Sequence, residues 1–551
     1  MIPNTASSSS APDVDFSRRI FLIIDDFQGM RTVIRDVLRN CGANVKNIST
    51  AANGKEAVRL LSSQPFDVVL CDFNLGPGQN GQQVLEEAKV KQYIGPACAW
   101  IMITAEKTSD AVTGAAEFQP DAYLLKPITE ATLRQRLAKI WVRKEMFADI
   151  ERAIRAGDYA KAVRLCDERA SREKSLAPDL TRMKADLLVK AGNLPEARKV
   201  FEAVLAERDH PWARAGLAKI LIQNGELAQA RSMLEQTVQD SPYYLEAHDL
   251  LAHTLQSLGE LDAAAQSLEH AAKLSPNSVA RQKSLGEVSL KLGRLEHAEK
   301  AFRKSVNLGE NSVLKAPDAY IGLAKTCSAK QDPVEALKVL GDLYKNFNDD
   351  QTRLKSMAME GIVHHENGNP KRAQELAATL EDQVAAGGTV GAEQASLEVA
   401  RLFLATGKQD LAVEILQKEV RNNPDSVELA NEVKAIFTGA AMGEEGAALV
   451  ESSRQEGMKL MNQGVLLLRD GRYEDAIAAM REARQAMPAN VRVLFNLAYV
   501  LVTAMQKTGV VQELVDEAAE VLQAANHLLP GQARYGQLNA VLQSLAKAEI
   551  Q

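Results

Sequence analysis

One short pattern, a glycine followed five residues later by an alanine, recurs along this 551-residue chain from residue 157 onwards. The first five glycines are 35, 33, 34 and 34 residues apart. Such a glycine would end one helix, and the small alanine would let the next helix pack closely against it. The copies are Gly157/Ala162, Gly192/Ala197, Gly225/Ala230, Gly259/Ala264, Gly293/Ala298, Gly368/Ala373, Gly407/Ala412 and Gly471/Ala476. We therefore predict an all-α solenoid of helical pairs from residue 144 onwards, in which each pair packs against its neighbours.

The best-formed copy resembles the tetratricopeptide-repeat family, whose period is about 34 residues. Its matching residues are Leu251, Ala252, Leu255, Gly259, Ala264, Leu268, Ala271 and Pro276. The resemblance implies that the concave surface of the solenoid binds a peptide or helix of a protein partner. The identity of that partner, and whether the chain forms a homodimer, are left open by the sequence.

Four interruptions of the repeat indicate how the solenoid is divided. They are a copy without glycine at 331–336, an insertion at 309–317, a glycine-rich break at 385–391 and an irregular stretch at 438–446. We predict a first solenoid part at 144–380, a second at 392–530 with a bend or hinge between them, and a capping helix and tail at 531–551.

The chain before the solenoid alternates between strand-like and helical patterns. Short apolar runs at 20–24, 67–71, 99–103 and 121–125, with a weaker one near 45–50, are typical of strands covered on both faces. Five such units separated by amphipathic helices predict a doubly wound, flavodoxin-like α/β domain with five parallel strands. We place this domain at 18–141, after a polar, disordered lead at 1–17.

Four of these strand-like runs end in residues that could handle phosphate. Asp25 and Asp26 end the first, Asp72 the third, Thr104 the fourth and Lys126 the fifth. The carboxyl ends of parallel strands meet at one edge of a sheet, so these side chains would lie together. Carboxylates suit Mg²⁺, and one of them could attack a phosphoryl group while the lysine and threonine contact its oxygens. The alternative, strand-end residues that only face solvent, is less favoured because five such residues occur in order.

With these residues, the first part of the chain resembles response-regulator receiver domains, in particular those of the single-domain chemotaxis type. The stretch from Phe21 to Arg35 and the segment Thr104-Ala105-Glu106 match that pattern. The resemblance implies that Asp72 is the phosphoacceptor, Asp26 a direct Mg²⁺ ligand and Asp25 a ligand through water. It also implies that Asn74 supplies a main-chain carbonyl, and that Thr104 and Tyr123 rearrange on phosphorylation.

The loop after Asp72 departs from the receiver pattern. It reads Asn74-Leu75-Gly76-Pro77-Gly78-Gln79-Asn80-Gly81, where the family usually has Met-Pro after the asparagine. We expect this loop to be longer and more flexible than usual. It also spells Gly-x-Gly-x-x-Gly, a dinucleotide-binding motif, but that motif normally follows a first strand and precedes an acid by about twenty residues. Here it follows the third strand, and the residue twenty positions on is Ile101.

Composition excludes several classes of function. The net charge of −7 and the absence of a basic block argue against nucleic-acid binding. Five scattered cysteines indicate neither a disulfide framework nor a zinc site and favour a reducing compartment. The most apolar stretch, 491–505, is too short to span a membrane, and the lead has no signal-peptide core. We expect a cytoplasmic protein.

The sequence therefore predicts a phosphorylation-dependent response regulator and not an enzyme. All eight histidines lie beyond residue 209, outside the receiver, so the phosphoryl group would come in trans from a histidine kinase or phosphotransfer protein. The near-helical spacing of Leu137, Trp141 and Ile150 predicts that the last receiver helix continues, or nearly so, into the first repeat. The alternative is a constitutive scaffold or client-delivery adaptor in which the receiver is only a docking or dimerisation module.

Overall fold

The computed structural model describes residues 15–104, 118, 120–385, 393–424, 426–529 and 533–548. Its sheet consists of β1 (Phe21–Ile24), β2 (Ile48–Ala51), β3 (Val68–Asp72), β4 (Ala99–Thr104) and β5 (Ala122–Leu125). The strands are all parallel and lie in the order β2-β1-β3-β4-β5. The predicted doubly wound, flavodoxin-like fold is confirmed.

Helices cover both faces of the sheet, which is why its strands are nearly continuous apolar runs. The α-helices of this domain among the described residues are α1 (Gln28–Asn40), α2 (Gly54–Ser63), α3 (Gly81–Val90) and α4 (Glu130–Glu145). Phe21 and Ile23 of β1 belong to the apolar cluster that includes residues of α1 and α4, and Leu22 and Ile24 belong to the one that includes residues of α2 and α3. The fully buried strands hold their polar ends at fixed positions on one edge.

Helical hairpins make up the rest of the described chain, as predicted. Their helices are α5 (Ala148–Arg155), α6 (Tyr159–Arg172), α7 (Ala177–Lys190), α8 (Leu194–Glu207), α9 (Pro211–Gln223), α10 (Leu227–Asp240), α11 (Leu245–Ser257), α12 (Leu261–Leu274), α13 (Val279–Lys291), α14 (Leu295–Gly309), α15 (Pro317–Ala329), α16 (Pro333–Asn346), α17 (Asp350–Glu366), α18 (Pro370–Ala385), α19 (Glu393–Ala405), α20 (Gln409–Asn422), α21 (Val427–Gly439), α22 (Gly443–Arg469), α23 (Tyr473–Ala486), α24 (Val491–Thr508), α25 (Gln512–Leu528) and α26 (Ala533–Ala548). In the part of the chain that the structure describes, no helix is long and apolar enough to cross a membrane.

The repeated glycine and alanine have the predicted roles. All eight repeat glycines adopt a left-handed conformation, with φ between 65° and 82°. At one of them, the N–H of Gly259 donates to Gln256 and the N–H of Glu260 to Leu255, which satisfies the last carbonyls of α11. All eight repeat alanines are fully buried, because the two helices of each hairpin approach each other at that point.

Two further hairpins have the same turn without a glycine at its left-handed position. Gln331 and Ala441 adopt φ values of 61° and 60° there. At the second turn the two residues of the motif are exchanged, since Gly446 occupies the alanine position and a Cβ there would lie 2.3 Å from Phe437 Cβ. The predicted irregular stretch at 438–446 is therefore wrong: only three residues separate α21 from α22.

The boundaries predicted within the solenoid stay predictions. Part of the break, 386–392, and the chain ends at 1–14 and 549–551 lie outside the described residues. An apolar cluster nevertheless includes residues from both sides of the break, among them Leu380 and Phe403. Helix α22, which is 27 residues long, packs against both α21 and α23 and so belongs to two successive hairpins.

The connection between the two parts of the molecule is almost helical. Helix α4 ends at Glu145 and α5 begins at Ala148, so two residues interrupt the predicted continuation. Trp141 and Phe147 on either side of the interruption are buried. The guanidinium of Arg19 lies 4.4 Å from the Trp141 ring centroid and pairs with Glu145 at 2.9 Å.

Candidate functional site

Three carboxylates meet at the carboxyl edge of the sheet, where the sequence predicts them. Asp25, Asp26 and Asp72 can each direct an oxygen so that these atoms lie within 4.8 Å of one another. Asp25 and Asp72 are buried, whereas Asp26 is exposed and leaves the cluster open to solvent. Among the described residues no other group of three or more acidic, histidine or cysteine side chains could hold a metal ion. Hard carboxylate oxygens in this arrangement suit a cation such as Mg²⁺.

Lys126 provides the positive charge of the site. Its Nζ lies 2.9 Å from Asp72 Oδ2 and 3.1 Å from Asp25 Oδ2. Burial raises the pKa of Asp72, the hydrogen bond and charge of Lys126 offset part of this rise, and the neighbouring Asp25 adds to it. Burial lowers the pKa of the Lys126 ammonium. Its hydrogen bonds to Asp72 and Asp25, together with the charges of these carboxylates, outweigh burial, so the pKa is raised. With three carboxylates and one ammonium, the site favours additional positive charge.

Thr104 ends β4 and Tyr123 lies on β5, the two strands that follow the strand of Asp72 in the sheet order. Asp72 pairs with Ile103 in the sheet register, so the buried Thr104 is one residue beyond the partner of Asp72. Tyr123 pairs with Met102, and its hydroxyl is buried without a hydrogen-bond partner among the residues described. Burial also raises the pKa of Tyr123. The rearrangement of this pair stays a prediction, and Glu106 lies outside the described residues.

The unusual loop after Asp72 is built around its glycines. Leu75 is buried, while Gly76 and Gly78 adopt φ values of 71° and 103° that favour glycine. A Cβ on Gly76 would lie 3.4 Å from Asp26 Oδ2, so the loop passes beside the acidic cluster. Asn74 is exposed, and its role as a metal ligand stays a prediction.

The third glycine of the motif brings α3 against the strand that carries Asp72. A Cβ on Gly81 would lie 2.1 Å from the main-chain oxygen of Asp72. The Gly81 N–H also donates to Phe73 O at 2.8 Å. The Gly-x-Gly-x-x-Gly motif thus shapes the loop of the acidic site, which is a physical reason for its glycines that requires no dinucleotide.

One residue at the site, Arg31, is not among those predicted. Its Nη1 donates to the main-chain oxygens of Asp25 at 2.6 Å and Asp26 at 3.1 Å. Asp25 Oδ1 in turn accepts from the Phe27 N–H at 2.9 Å. These bonds hold the end of β1 in place. The only sequence signal is a basic residue within the first turns of the helix that follows the acidic pair.

Comparison with known proteins assigns both parts of the molecule. Residues 21–138 match the family model of the response regulator receiver domain. Over 122 residues the chain is 35% identical to chemotaxis protein CheY-3 of Vibrio cholerae, spanning 91% of that protein and 22% of this chain. The chain belongs to the response regulator receiver family. It is also similar to chemotaxis protein CheY of Pseudomonas aeruginosa, at 33% identity over 95% of that protein and 22% of this chain.

The remainder of this response regulator consists of tetratricopeptide repeats. Models of that repeat match residues 150–210, 201–254, 250–313, 359–427 and 461–533. A solved tetratricopeptide repeat protein from Parabacteroides merdae aligns at 14% identity with 49% of this chain and 98% of its own length, with a TM-score of 0.33. A solved structure of Vibrio cholerae chemotaxis protein CheY4 aligns at 22% identity with 22% of this chain and 98% of its own, with a TM-score of 0.21. Both predicted families are confirmed by the family models.

Proposed function

We propose that this protein is a response regulator whose Asp72 accepts a phosphoryl group, and whose repeat solenoid binds a protein partner in response. The observation that carries the proposal is the position of Asp72, buried at a strand end beside two further carboxylates and bonded to Lys126 at 2.9 Å. Asp72 shares this cation with Asp25, so the three carboxylates of the site exceed its one ammonium and leave negative charge that a metal ion would offset.

The chemistry follows from these residues. A carboxylate oxygen of Asp72 attacks the phosphorus of a phosphohistidine in a kinase or phosphotransfer protein. The new P–O bond forms as the P–N bond breaks, and the electron pair leaves with the imidazole. Lys126 Nζ, now bonded to Asp72, pairs with a phosphoryl oxygen, and the Thr104 hydroxyl donates to another. Mg²⁺ held by Asp25, Asp26 and Asp72, with the Asn74 carbonyl, would neutralise charge on the phosphoryl oxygens.

Labelling with a small phosphodonor tests the phosphoacceptor. Acetyl phosphate and Mg²⁺ are expected to add one phosphoryl mass to the intact chain, and the Asp72→Asn variant is expected to gain none. Asp36→Asn is the matched control, because Asp36 is half-exposed on α1, away from the strand ends, and pairs with its neighbour Arg39 at 3.3 Å. Equal labelling of wild type and Asp72→Asn, or no labelling of either, would refute the proposal.

The concave side of the solenoid offers the surface for a partner. A cavity of about 640 Å³ there is lined by charged side chains, including Lys291, Glu428 and Glu398. Lys291 and Glu428 pair at 3.0 Å although 137 positions separate them, so distant hairpins curve towards each other. Glu398 is buried, and one of its oxygens lacks a hydrogen-bond partner among the described residues. A polar peptide segment with a free N–H suits this lining better than an apolar helix.

Affinity capture distinguishes a gated response regulator from a constitutive scaffold. The full chain would be incubated in native cell extract with Mg²⁺ and beryllofluoride, a phosphoryl mimic, or without them, and compared with Asp72→Asn. A partner gained or lost only by wild type with the mimic supports the proposal. The same partners in all samples would favour a constitutive scaffold or client-delivery adaptor. We propose no enzymatic output and place the protein in the cytoplasm, where its five free, buried cysteines would stay reduced.

A further inference from the structure

The insertion at 309–317 has a position in the fold that its sequence does not reveal. It lies between α14 and α15 and lengthens the spacing of successive turns, since 38 residues separate Gly293 from Gln331. The loop that it forms, 310–316, lies against α3 of the receiver. The solenoid therefore contacts the receiver at a second place, far along the chain from the connection between α4 and α5.

Two hydrogen bonds define this contact. The Ser312 hydroxyl donates to Glu86 Oε1, and Gln83 Nε2 donates to the Leu308 carbonyl at 3.4 Å. Ser312 is buried, and its Oγ also accepts from the Leu314 N–H at 2.9 Å, which orders the loop around it. We call these bonds between α3 and residues 308–312 the α3 latch.

The latch is connected to the phosphoacceptor through one side chain. Gln83 Oε1 accepts from the Asn80 N–H at 3.0 Å, while Asn80 Oδ1 accepts from the Gln83 N–H at 2.9 Å. Asn80 belongs to the loop that follows Asp72. The two ends of the Gln83 amide therefore touch the phosphoacceptor loop and the solenoid. A shift of that loop must change the position of Gln83 and hence its bond to Leu308.

A separate contact holds the loop between α3 and β4. Glu151 of α5 accepts from the Ala97 N–H at 2.7 Å, and a Cβ on Gly95 would lie 2.3 Å from Glu151 Cδ. Arg155 holds this carboxylate in place at 2.8 Å. With this contact fixed near the covalent connection, release of the latch would free the solenoid at α14 and α15 while leaving the first hairpin attached.

We propose that the α3 latch is a regulatory contact that holds the solenoid on the unphosphorylated receiver and opens when a phosphoryl group occupies Asp72. This inference rests on the proposed function. A phosphoryl group needs space beside residues 73–80 and draws Lys126 away from its present bonds, so the loop and the helix cap that follows it must adjust. The resemblance to receivers implies that Thr104 and Tyr123 rearrange on phosphorylation, whereas the latch is a contact of α3. Because the latch, among the described residues, rests on two hydrogen bonds between receiver and solenoid, a modest difference in affinity between its two states is enough to shift it.

Hydrogen exchange of the full chain tests whether the latch exists without any phosphoryl group. The Ser312→Asp variant places a carboxylate against Glu86, and we expect exchange in peptides covering 308–316 to accelerate on the order of tenfold. The matched control is Ser171→Asp, because Ser171 is exposed on α6 and donates to the nearby Glu168 carbonyl of its own helix. Adding Glu86→Gln to Ser312→Asp removes the repulsion and should restore slow exchange. Unchanged exchange in Ser312→Asp would overturn the latch.

Exchange with Mg²⁺ and beryllofluoride tests its control by Asp72. Fluorine NMR of the same samples reports whether the mimic is bound. We expect wild type to bind it and to show faster exchange at 308–316, and Asp72→Asn to show neither. Binding without faster exchange would overturn the latch as a regulatory contact and leave the proposed function intact. No binding by wild type would overturn the proposed function and this inference together.

Discussion

Gly81→Ala is a severe perturbation of the site although it adds one methyl group. The new Cβ would lie 2.1 Å from the Asp72 main-chain oxygen, 2.9 Å from Cys71 Sγ and 3.0 Å from the Asp72 carbonyl carbon. An ordinary contact begins near 3.4 Å, so the end of β3 and the start of α3 must separate by about 1.3 Å. The closest atom, the Asp72 oxygen, cannot rotate away because it belongs to the main chain of a buried strand.

The size of the effect follows from this displacement. Overpacking of a core costs about 1–3 kcal/mol, and alanine returns up to about 1 kcal/mol through its helix propensity. Because the clash is with main chain, we take the upper end of the overpacking cost and expect a net loss of about 2 kcal/mol in the free energy of unfolding of the receiver. Displacement of a reacting group by about 1 Å reduces a rate by about 100-fold, and we expect that reduction in labelling of Asp72 by acetyl phosphate.

Gly29→Ala is the matched control in the same domain. Its Cβ would lie 2.8 Å from the ring of Phe27, which is 68% exposed and can turn into solvent. Its stability should therefore stay within about 0.5 kcal/mol of wild type. Labelling is followed by intact mass, and the unfolding of the receiver by hydrogen exchange of β3 and β4. Wild-type labelling and exchange in Gly81→Ala would refute the reasoning.

Three further predictions concern stability and can be checked by hydrogen exchange or thermal unfolding of the full chain. Burial raises the pKa of Asp72 in the folded state, so its stabilising contribution is present at low pH and is lost as the pH rises through that folded pKa. Asp72→Asn should therefore stabilise the receiver at pH 7 by about 0.5–2 kcal/mol, with a difference that shrinks on acidification; a destabilised variant would contradict this. Ala441→Gly should stabilise its hairpin by about 1 kcal/mol because φ is 60° there, and Gly471→Ala, where φ is 75°, should have the opposite effect; effects of the same sign would be evidence against this reason. Gly322→Ala should destabilise the solenoid by about 1–3 kcal/mol, because its Cβ would lie 2.3 Å from an aromatic ring on α14. Gly341→Ala on the next helix meets nothing within 4 Å and should stabilise by about 0.5–1 kcal/mol, so equal effects of the two would be inconsistent with the packing.

The chemical groups of the candidate site could be predicted from sequence because each lies at the end of a short, apolar, strand-like run. In a parallel sheet those ends share one edge, so the order of strands along the chain is enough to bring Asp25, Asp72 and Lys126 together. The same reasoning did not find Arg31, because its contact depends on how α1 turns back over the end of β1. It also did not explain why the loop after Asp72 contains glycines. The structure shows that they are needed because that loop and α3 approach the acidic cluster closely.

The repeat could be predicted wherever glycine and alanine occupy their usual positions. The prediction failed at 438–446, where the structure has a turn of the same shape with alanine at the glycine position and glycine at the alanine position. Alanine can adopt the left-handed conformation at an energetic cost, and glycine can occupy the position where two helices meet. A sequence pattern registers residue types, whereas the hairpin requires only a backbone conformation and a small side chain.

The sequence by itself determined the two families, the order of strands and helices along the chain, and the acidic and basic residues that meet at the carboxyl edge of the sheet. These properties depend on local conformation and on the periodic burial of apolar residues, and both are encoded by short stretches of sequence. Only the tertiary structure decided that the insertion at 309–317 meets the receiver, where Ser312 contacts a residue 226 positions away. That contact depends on the curvature that accumulates over successive hairpins, because each small rotation between neighbours is set by side-chain packing and no single repeat encodes their sum.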